Sequence, residues 1–249
     1  MNKNTKARIE REDKITKLIV SHEDKEIAFA HPPFGKGLYR EVGEQILVHN
    51  LRIPSGDELA SLLHAAYFSD KSDEPEFKNI RDIIPFHIWV FNRNLWTNKG
   101  VYVIQDPEAK GRSESLNENE LEKMLKNGEK INGVRFSKDR KVKFAPTGTY
   151  RHAGTYSTRL QDHTPEQFSK DGFIIATFGK EGAIKIAEIA AQFEENPYIH
   201  GYNISTTDHT ELLQVSVLGK GAGYLRVDGT LYDTNFGMYR FSYSFGLLK

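Results

Sequence analysis

The chain has 249 residues, enough for one large domain or two small ones. Hydrophobic residues make up 38% and charged residues 27%, a composition typical of a folded chain rather than a disordered one. Lysine plus arginine (34) equals aspartate plus glutamate (34), so the net charge does not indicate a nucleic-acid partner. The absence of cysteine excludes disulfides, thiolate nucleophiles and cysteine-based metal centres.

The sequence also lacks the features of a membrane or secreted protein. No apolar run approaches the roughly 20 residues that a membrane span needs, and the N-terminus has no apolar signal region. We therefore expect a cytoplasmic protein with no membrane partner. The charged residues 1–17 predict a solvated tail or a peripheral helix, and residues 18–249 predict a single α+β domain.

Local signals define several elements in the first half of the chain. Apolar runs at 18–20 and 27–29 have the spacing of a hairpin, and the run at 46–48 predicts a short strand. Ser55 and Glu58 form the capping-box pair of a helix start, and the apolar residues that follow recur at helical spacing.

The middle of the chain alternates between strand and helix signals. Apolar runs at 88–91 and 101–104 predict buried strands. Asn117 is placed to begin a helix, and the runs at 134–136 and 142–144 predict a second hairpin.

A strand–helix–strand pattern is the main prediction for the second half. The apolar run 173–178 predicts a strand, the glycine-containing residues 179–182 a connecting turn, and residues 183–193 a helix. With a further strand at 198–204, the spacing predicts a βαβ unit over about 173–204 with a parallel strand pair. The turn at 179–182 lacks the length and the lysine–serine element of a phosphate-binding loop, which favours a plain connection.

The last forty residues carry only strand and turn signals. Asp228-Gly229 is typical of a hairpin turn, and aromatic and polar residues alternate over 239–245. An antiparallel C-terminal region is therefore expected, and the predicted fold class is α+β with a mixed β-sheet.

The segment 146–164 is the predicted site, because long stretches without apolar periodicity inside a domain are often functional. Flat aromatic faces and planar cations can hold a phosphate, a carboxylate or an unstacked base. The predicted ligand-binding residues are Tyr150, Arg151, Tyr156 and Arg159. His152 and His163 are the candidates for acid–base catalysis. A mobile loop that is merely solvated is the alternative explanation for the same residues.

Nine histidines raise the question of a metal site, although no regular metal-binding spacing occurs. The candidates for a site of two histidines and one carboxylate are His200, Asp208 and His209. The more favoured interpretation is that these are surface or structural residues. We therefore expect neither a metal nor a cofactor.

Three segments carry a resemblance to other proteins. Residues 51–67, 90–96 and 173–193 resemble segments of an uncharacterised family of archaeal cytoplasmic proteins, which implies no activity. The fragment Arg52-Ile53-Pro54-Ser55, with Glu58 and Leu59, also resembles a motif of C-type-lectin-like and formylglycine-enzyme-like folds. The later tryptophan-rich segment of those folds is absent here, and a capped helix start explains the same residues.

Three hypotheses for function follow. The leading one is a non-catalytic binding or interaction module that uses the polar segment and adjoining aromatic strands. The first alternative is an enzyme acting on a phosphorylated or nucleotide-like small molecule, with Arg151 and Arg159 holding the anion. The second is a structural homo-oligomer joined through an edge strand of the C-terminal sheet.

Overall fold

The computed structural model describes residues 6–12, 15–151, 163–200, 211–221, 223–230 and 242–249. Its helices are α1 (Tyr39–Val48), α2 (Gly56–Phe68), α3 (Pro75–Ile83), a 3₁₀ turn (Ile84–Phe86), α4 (Glu118–Leu125), α5 (Pro165–Lys170) and α6 (Gly172–Ala190). Its strands are β1 (Ala7–Arg11), β2 (Thr16–His22), β3 (Lys25–His31), β4 (Phe34–Gly37), β5 (Ile88–Thr97), β6 (Gly100–Gln105), β7 (Glu129–Ile131), β8 (Val134–Phe136), β9 (Val142–Pro146), β10 (Tyr198–His200), β11 (Glu211–Lys220), β12 (Leu225–Thr230) and β13 (Ser242–Ser244). None of the described helices is long and apolar enough to span a membrane.

The described strands form two sheets. β1, β2 and β3 make a small antiparallel sheet. The larger sheet is mixed, with the order β10-β12-β11-β5-β6-β9-β8-β7, and β13 joins β4 to β5. Its parallel pairs are β10 with β12 and β13 with β5, whereas the other pairs are antiparallel. The predicted α+β class with a mixed sheet is thus confirmed.

Helices cover both faces of the large sheet, and this arrangement positions the site. α2, α3 and α6 pack on one face together with the β2–β3 hairpin. α1 packs on the opposite face against β5 and β11, and α4 packs there against β6 and β9. Neighbouring residues of β5 therefore enter different cores, as Trp89 and Val90 do, so the central strand has a continuous run of buried residues.

Several elements form where their local signals predict them. The hairpin at β2–β3 and the buried strands β5 and β6 are confirmed. Ser55 is the N-cap of α2, and its backbone N–H donates to the Glu58 carboxylate at 2.9 Å. Asn117 caps α4 by accepting from the N–H groups of Asn119 and Glu120.

The predicted βαβ unit over 173–204 is wrong in its first strand. Residues 173–178 lie in α6, whose N-cap Asp171 accepts from the N–H groups of Phe173 and Ile174. This part of the helix is buried all round, so its sequence shows no helical periodicity and resembles a buried strand. The strand that does form in this region, β10, pairs in parallel with β12 and not with residues 173–178.

Three smaller predictions are also wrong. Residues 7–11 form β1 rather than a tail or helix, and residues 46–48 form the last turn of α1. Asp228 and Gly229 lie within β12 instead of forming a turn. The side chain of Asp228 is paired with Arg226 at 3.2 Å, which allows the carboxylate to be buried in a strand.

Candidate functional site

A polar cavity of about 690 Å³ lies where the end of β2, the start of α2, strand β9 and the middle of α6 meet. We call it the Lys143 cavity, after the lysine that reaches it from β9. Its lining residues are His22, Glu23, Arg52, Ser55, Asp57, Glu58, Gln105, Ile131, Phe136, Asp139, Arg140, Lys143, Gly179, Lys180, Glu181, Gly182 and Lys185.

Close backbone contact between α2 and α6 fixes one wall of the cavity. A Cβ atom on Gly56 would lie 2.0 Å from the carbonyl oxygen of Thr177, so only glycine permits this approach. A Cβ on Gly182 would already lie 3.2 Å from the Cα of Asp57. The first turn of α2 is thereby held against α6 on both sides of Gly179.

Gly179 interrupts α6 at the cavity. Its φ of 71° and ψ of 172° are not helical, and the helix resumes immediately after it. This conformation is readily available only to glycine, which explains the residue at this position. The prediction that residues 179–182 form a plain turn between a strand and a helix is wrong, because they form a break between two helical segments. The same residues line the cavity.

Lys143 extends from the sheet toward the helices. Its Cα partners in the neighbouring strands are Val103 and Phe136, which belong to the helix-facing core, whereas Val142 and Phe144 belong to the opposite core. Only 6% of Lys143 is exposed. Within the described part of the chain, its ammonium has neither a hydrogen-bond acceptor nor an ion-pair partner.

Burial controls the ionisation of Lys143. Removing the ammonium from water lowers the pKa of Lys143 below its ordinary value of 10.5, and the charge of Arg140 acts in the same direction. The carboxylates of Asp57 and Asp139 oppose this shift without cancelling it. The cavity therefore holds an amine whose charged form is poorly solvated and has no direct partner.

Lys185 is a second cavity lysine, and it is anchored. Its Nζ donates to the hydroxyl oxygen of Ser61 at 2.9 Å, and the Nδ1 of His22 lies 2.9 Å from the same oxygen. The Ser61 hydroxyl donates to the carbonyl of Asp57 at 3.1 Å. Burial lowers the pKa of Lys185, and Glu181 and Asp57 act against this effect.

The hydrogen bonds of Ser61 also argue against a nucleophilic serine here. Ser61 is 1% exposed, and its proton is directed to a backbone carbonyl. The Lys185 ammonium donates to its oxygen and so is not positioned to remove that proton, whereas the role of His22 Nδ1 in its contact with the oxygen depends on the tautomer of the ring. The role of Ser61 is to orient the two basic side chains.

Arg52 is largely committed to a structural ion pair. Its guanidinium makes two hydrogen bonds with the Glu58 carboxylate, one of them at 2.7 Å. Burial alone would raise the pKa of Glu58, but the bonds from Arg52 and from the Ser55 N–H hold it below its ordinary value. The pair keeps the start of α2 in place at the cavity wall.

Charges of both signs line the cavity at its rim and in its interior. Besides His22, five lysine or arginine residues and five aspartate or glutamate residues line it. The acidic residues Glu23, Asp139 and Glu181 are exposed at the rim together with Arg140 and Lys180, whereas Lys143 and Glu58 are buried, and Glu58 is already paired with Arg52. An anionic group is thus favoured in the interior, and hydrogen-bond donors such as hydroxyls are favoured at the rim.

A group of possible metal ligands lies on one side of the cavity. One ligand atom each of His22, Glu23 and Asp57 lies within 4.8 Å of the others. The same two carboxylates act on Lys185, whose ammonium already supplies positive charge there. Divalent cations prefer ligand sets without a competing ammonium, so this group alone does not define a metal centre.

The structure brings together three of the residues predicted in the segment 146–164. The Arg151 backbone N–H donates to Asp171 at 2.7 Å, and His163 Nε2 lies 3.2 Å from the same carboxylate. Tyr150 packs edge-on against Trp96 with ring centroids 5.6 Å apart, and its burial raises its pKa. These three residues adjoin a small cavity of about 200 Å³.

The other residues predicted to bind a ligand or metal lie mostly outside the described part of the chain. These are His152, Tyr156, Arg159, Asp208 and His209. His200 is described in β10, where its ring stacks on Tyr198 with centroids 6.3 Å apart and its Cα pairs with Asp228. The ligand-binding and metal assignments for these residues stay predictions.

Sequence reasoning did not identify the Lys143 cavity. The available signal was a lysine within an otherwise apolar strand, Val142-Lys143-Phe144-Ala145, at a position that alternation places with Ala145. Lysine is rarely buried without a specific reason, so such a position is informative. The partners Asp57 and Lys185 are too distant in sequence to be linked to it.

Comparisons with known proteins assign no family to the chain. No protein-family model matches it, and no curated protein matches it. A solved structure from work on how the C-type lectin fold accommodates massive sequence variation in Nanoarchaeota is similar to this chain at 12% sequence identity. The similarity covers 92% of this chain and 100% of that one, with a TM-score of 0.47.

Proposed function

We propose that this chain is a binding protein for a small anionic molecule that carries a phosphate or carboxylate group and occupies the Lys143 cavity. The observation that carries the proposal is the buried ammonium of Lys143, which faces the cavity without an acceptor among the described residues. Burying a charge without a partner is costly, and an anion in the cavity would supply that partner.

The dimensions and polarity of the cavity fit such a ligand. Small-molecule sites occupy about 300–1,000 Å³, and this cavity of about 690 Å³ lies in that range. The anionic group would contact Lys143 in the interior of the cavity, whose lining also includes the anchored Lys185. Hydroxyls elsewhere on the ligand would donate to the rim carboxylates of Glu23 and Glu181, so a phosphorylated or carboxylated sugar-like molecule fits best.

The test is calorimetric titration with inorganic phosphate, a hexose 6-phosphate, AMP and citrate, with the uncharged hexose as the negative ligand. Lys143→Met removes the ammonium while keeping the length of the side chain. The matched control is Lys141→Met, two residues away on the same segment, where the side chain is exposed.

We expect at least one anion to bind and the uncharged hexose not to bind. A hydrogen bond to a charged group contributes about 1.5–3 kcal/mol, so Lys143→Met should weaken binding by about 10- to 150-fold. Lys141→Met should bind as the wild type does. The proposal is wrong if no anion binds, or if Lys143→Met retains wild-type affinity.

A further inference from the structure

We propose that Lys143 does more than attract an anion: it forms a reversible covalent imine with an aldehyde or ketone group of the bound molecule. The inference rests on the proposed function, because the anionic group brings the carbonyl into the Lys143 cavity. It narrows the ligand class to small anions that also carry a carbonyl.

The first argument is the position of the amine. Lys143 extends from β9, a strand held on both sides by β6 and β8, so its backbone is fixed by the sheet. Its side chain is 6% exposed and faces the cavity. No hydrogen bond within the described residues directs the nitrogen elsewhere, which leaves its lone pair available once the proton is lost.

The second argument is that the surroundings favour the neutral amine. Only an unprotonated lysine can attack a carbonyl, and desolvation is a recognised way to produce one. Burial lowers the pKa of Lys143. The pKa of Lys185, another of the three lysines that line the cavity, is also lowered by burial. Its nitrogen, however, donates a hydrogen bond to the Ser61 oxygen at 2.9 Å, whereas the Lys143 nitrogen has no acceptor among the described residues.

The reaction needs proton transfers but no oxidant or reductant. The Lys143 nitrogen attacks the carbonyl carbon, the carbonyl oxygen takes up a proton, and the nitrogen loses one, which gives a carbinolamine. The hydroxyl then takes up a proton and leaves as water while the nitrogen releases its remaining N–H proton, which forms the C=N bond. Asp57 and Asp139, the carboxylates whose charges act on Lys143, are the candidates for carrying these protons.

The experiment uses the full chain with glycolaldehyde phosphate as the probe and unphosphorylated glycolaldehyde as its control. Cyanoborohydride reduces any imine to a stable amine, and peptide mass spectrometry then locates the adduct. We expect one dominant adduct, on Lys143, at least tenfold more abundant than on Lys185 or Lys180. An excess of inorganic phosphate should suppress it, and glycolaldehyde alone should label Lys143 at least tenfold less.

Lys143→Arg provides the decisive variant, because it keeps a positive charge but cannot form an imine. It should lose the dominant adduct, whereas Lys141→Arg, at an exposed position outside the cavity lining, should bind inorganic phosphate and keep the adduct as the wild type does. Phosphate binding without labelling of Lys143 in the wild type would overturn this inference alone. Failure of the wild type to bind any anion would overturn the proposed function as well. Labelling spread evenly over surface lysines would also refute the inference.

Discussion

Replacing Lys143 with methionine should make the protein more stable while weakening anion binding. The wild-type side chain is 6% exposed, its ammonium is desolvated by burial, and it lacks an acceptor among the described residues, so the incompletely satisfied charge costs about 1–3 kcal/mol. Methionine has nearly the same length, so it should leave little empty volume. Loss of the attraction to Asp57 and Asp139 offsets part of the gain. We expect a net stabilisation of about 1–2 kcal/mol.

The expected change in melting temperature follows from the size of the chain. For a protein of this length, 1 kcal/mol corresponds to about 2–4 °C, so Lys143→Met should melt about 2–8 °C above the wild type at pH 7. Calorimetry of the ligand-free protein measures this, with Lys141→Met as the exposed control that should shift little.

The pH dependence of this difference provides an independent check. Since the pKa of Lys143 is lower in the folded state than its ordinary 10.5, the unfolded chain holds more protons between those two values. Wild-type stability therefore gains from this group as the pH rises toward 10.5. The methionine variant has no such contribution, so its advantage should narrow as the pH is raised from 7 toward 10.5. A melting temperature below that of the wild type, or an advantage that widens with pH, would refute this reasoning.

Two further predictions concern the frame of the site and a second buried basic group. Gly56→Ala should destabilise the protein by about 1–3 kcal/mol in urea denaturation, because the new Cβ would meet the Thr177 carbonyl at 2.0 Å. Gly182→Ala, whose nearest contact is 3.1 Å, should cost less, and equal costs would contradict the close-approach argument. His87→Gln should reduce the loss of stability on acidification, because burial and Arg226 lower the pKa of His87 to about 4. The unfolded chain holds more protons than the folded chain between pH 4 and 6.5, so wild-type stability falls as the pH is lowered through that range. The urea midpoint should therefore decrease less from pH 7 to pH 4.5 in His87→Gln than in the wild type. Equal decreases in the two proteins would contradict this prediction.

The sequence by itself determined those elements whose signals are local. The start of α2 follows from Ser55 and Glu58, which satisfy helix-terminal groups within a few residues. The strands β5 and β6 follow from apolar runs that are too short for helices. These interactions or patterns lie within a single segment, so neighbouring residues suffice to identify them.

Only the tertiary structure decided between helix and strand where a segment is buried on every side. Residues 173–178 are apolar throughout because α6 is surrounded by protein there, and this removes the periodicity that distinguishes the two. Asp171 is a residue type typical of a helix N-cap, but it indicates a helix start only when the apolar residues after it are recognised as helical.

The Lys143 cavity depended on tertiary structure for a related reason. Its principal residues, His22, Asp57, Lys143 and Lys185, come from segments separated by dozens of residues. The sequence specifies that an amine is present at position 143, but desolvation sets its pKa, and desolvation depends on what packs around it. Local residue patterns therefore determined where helices such as α2 and α4 begin, whereas the chemistry of the site was decided by the packing of distant segments.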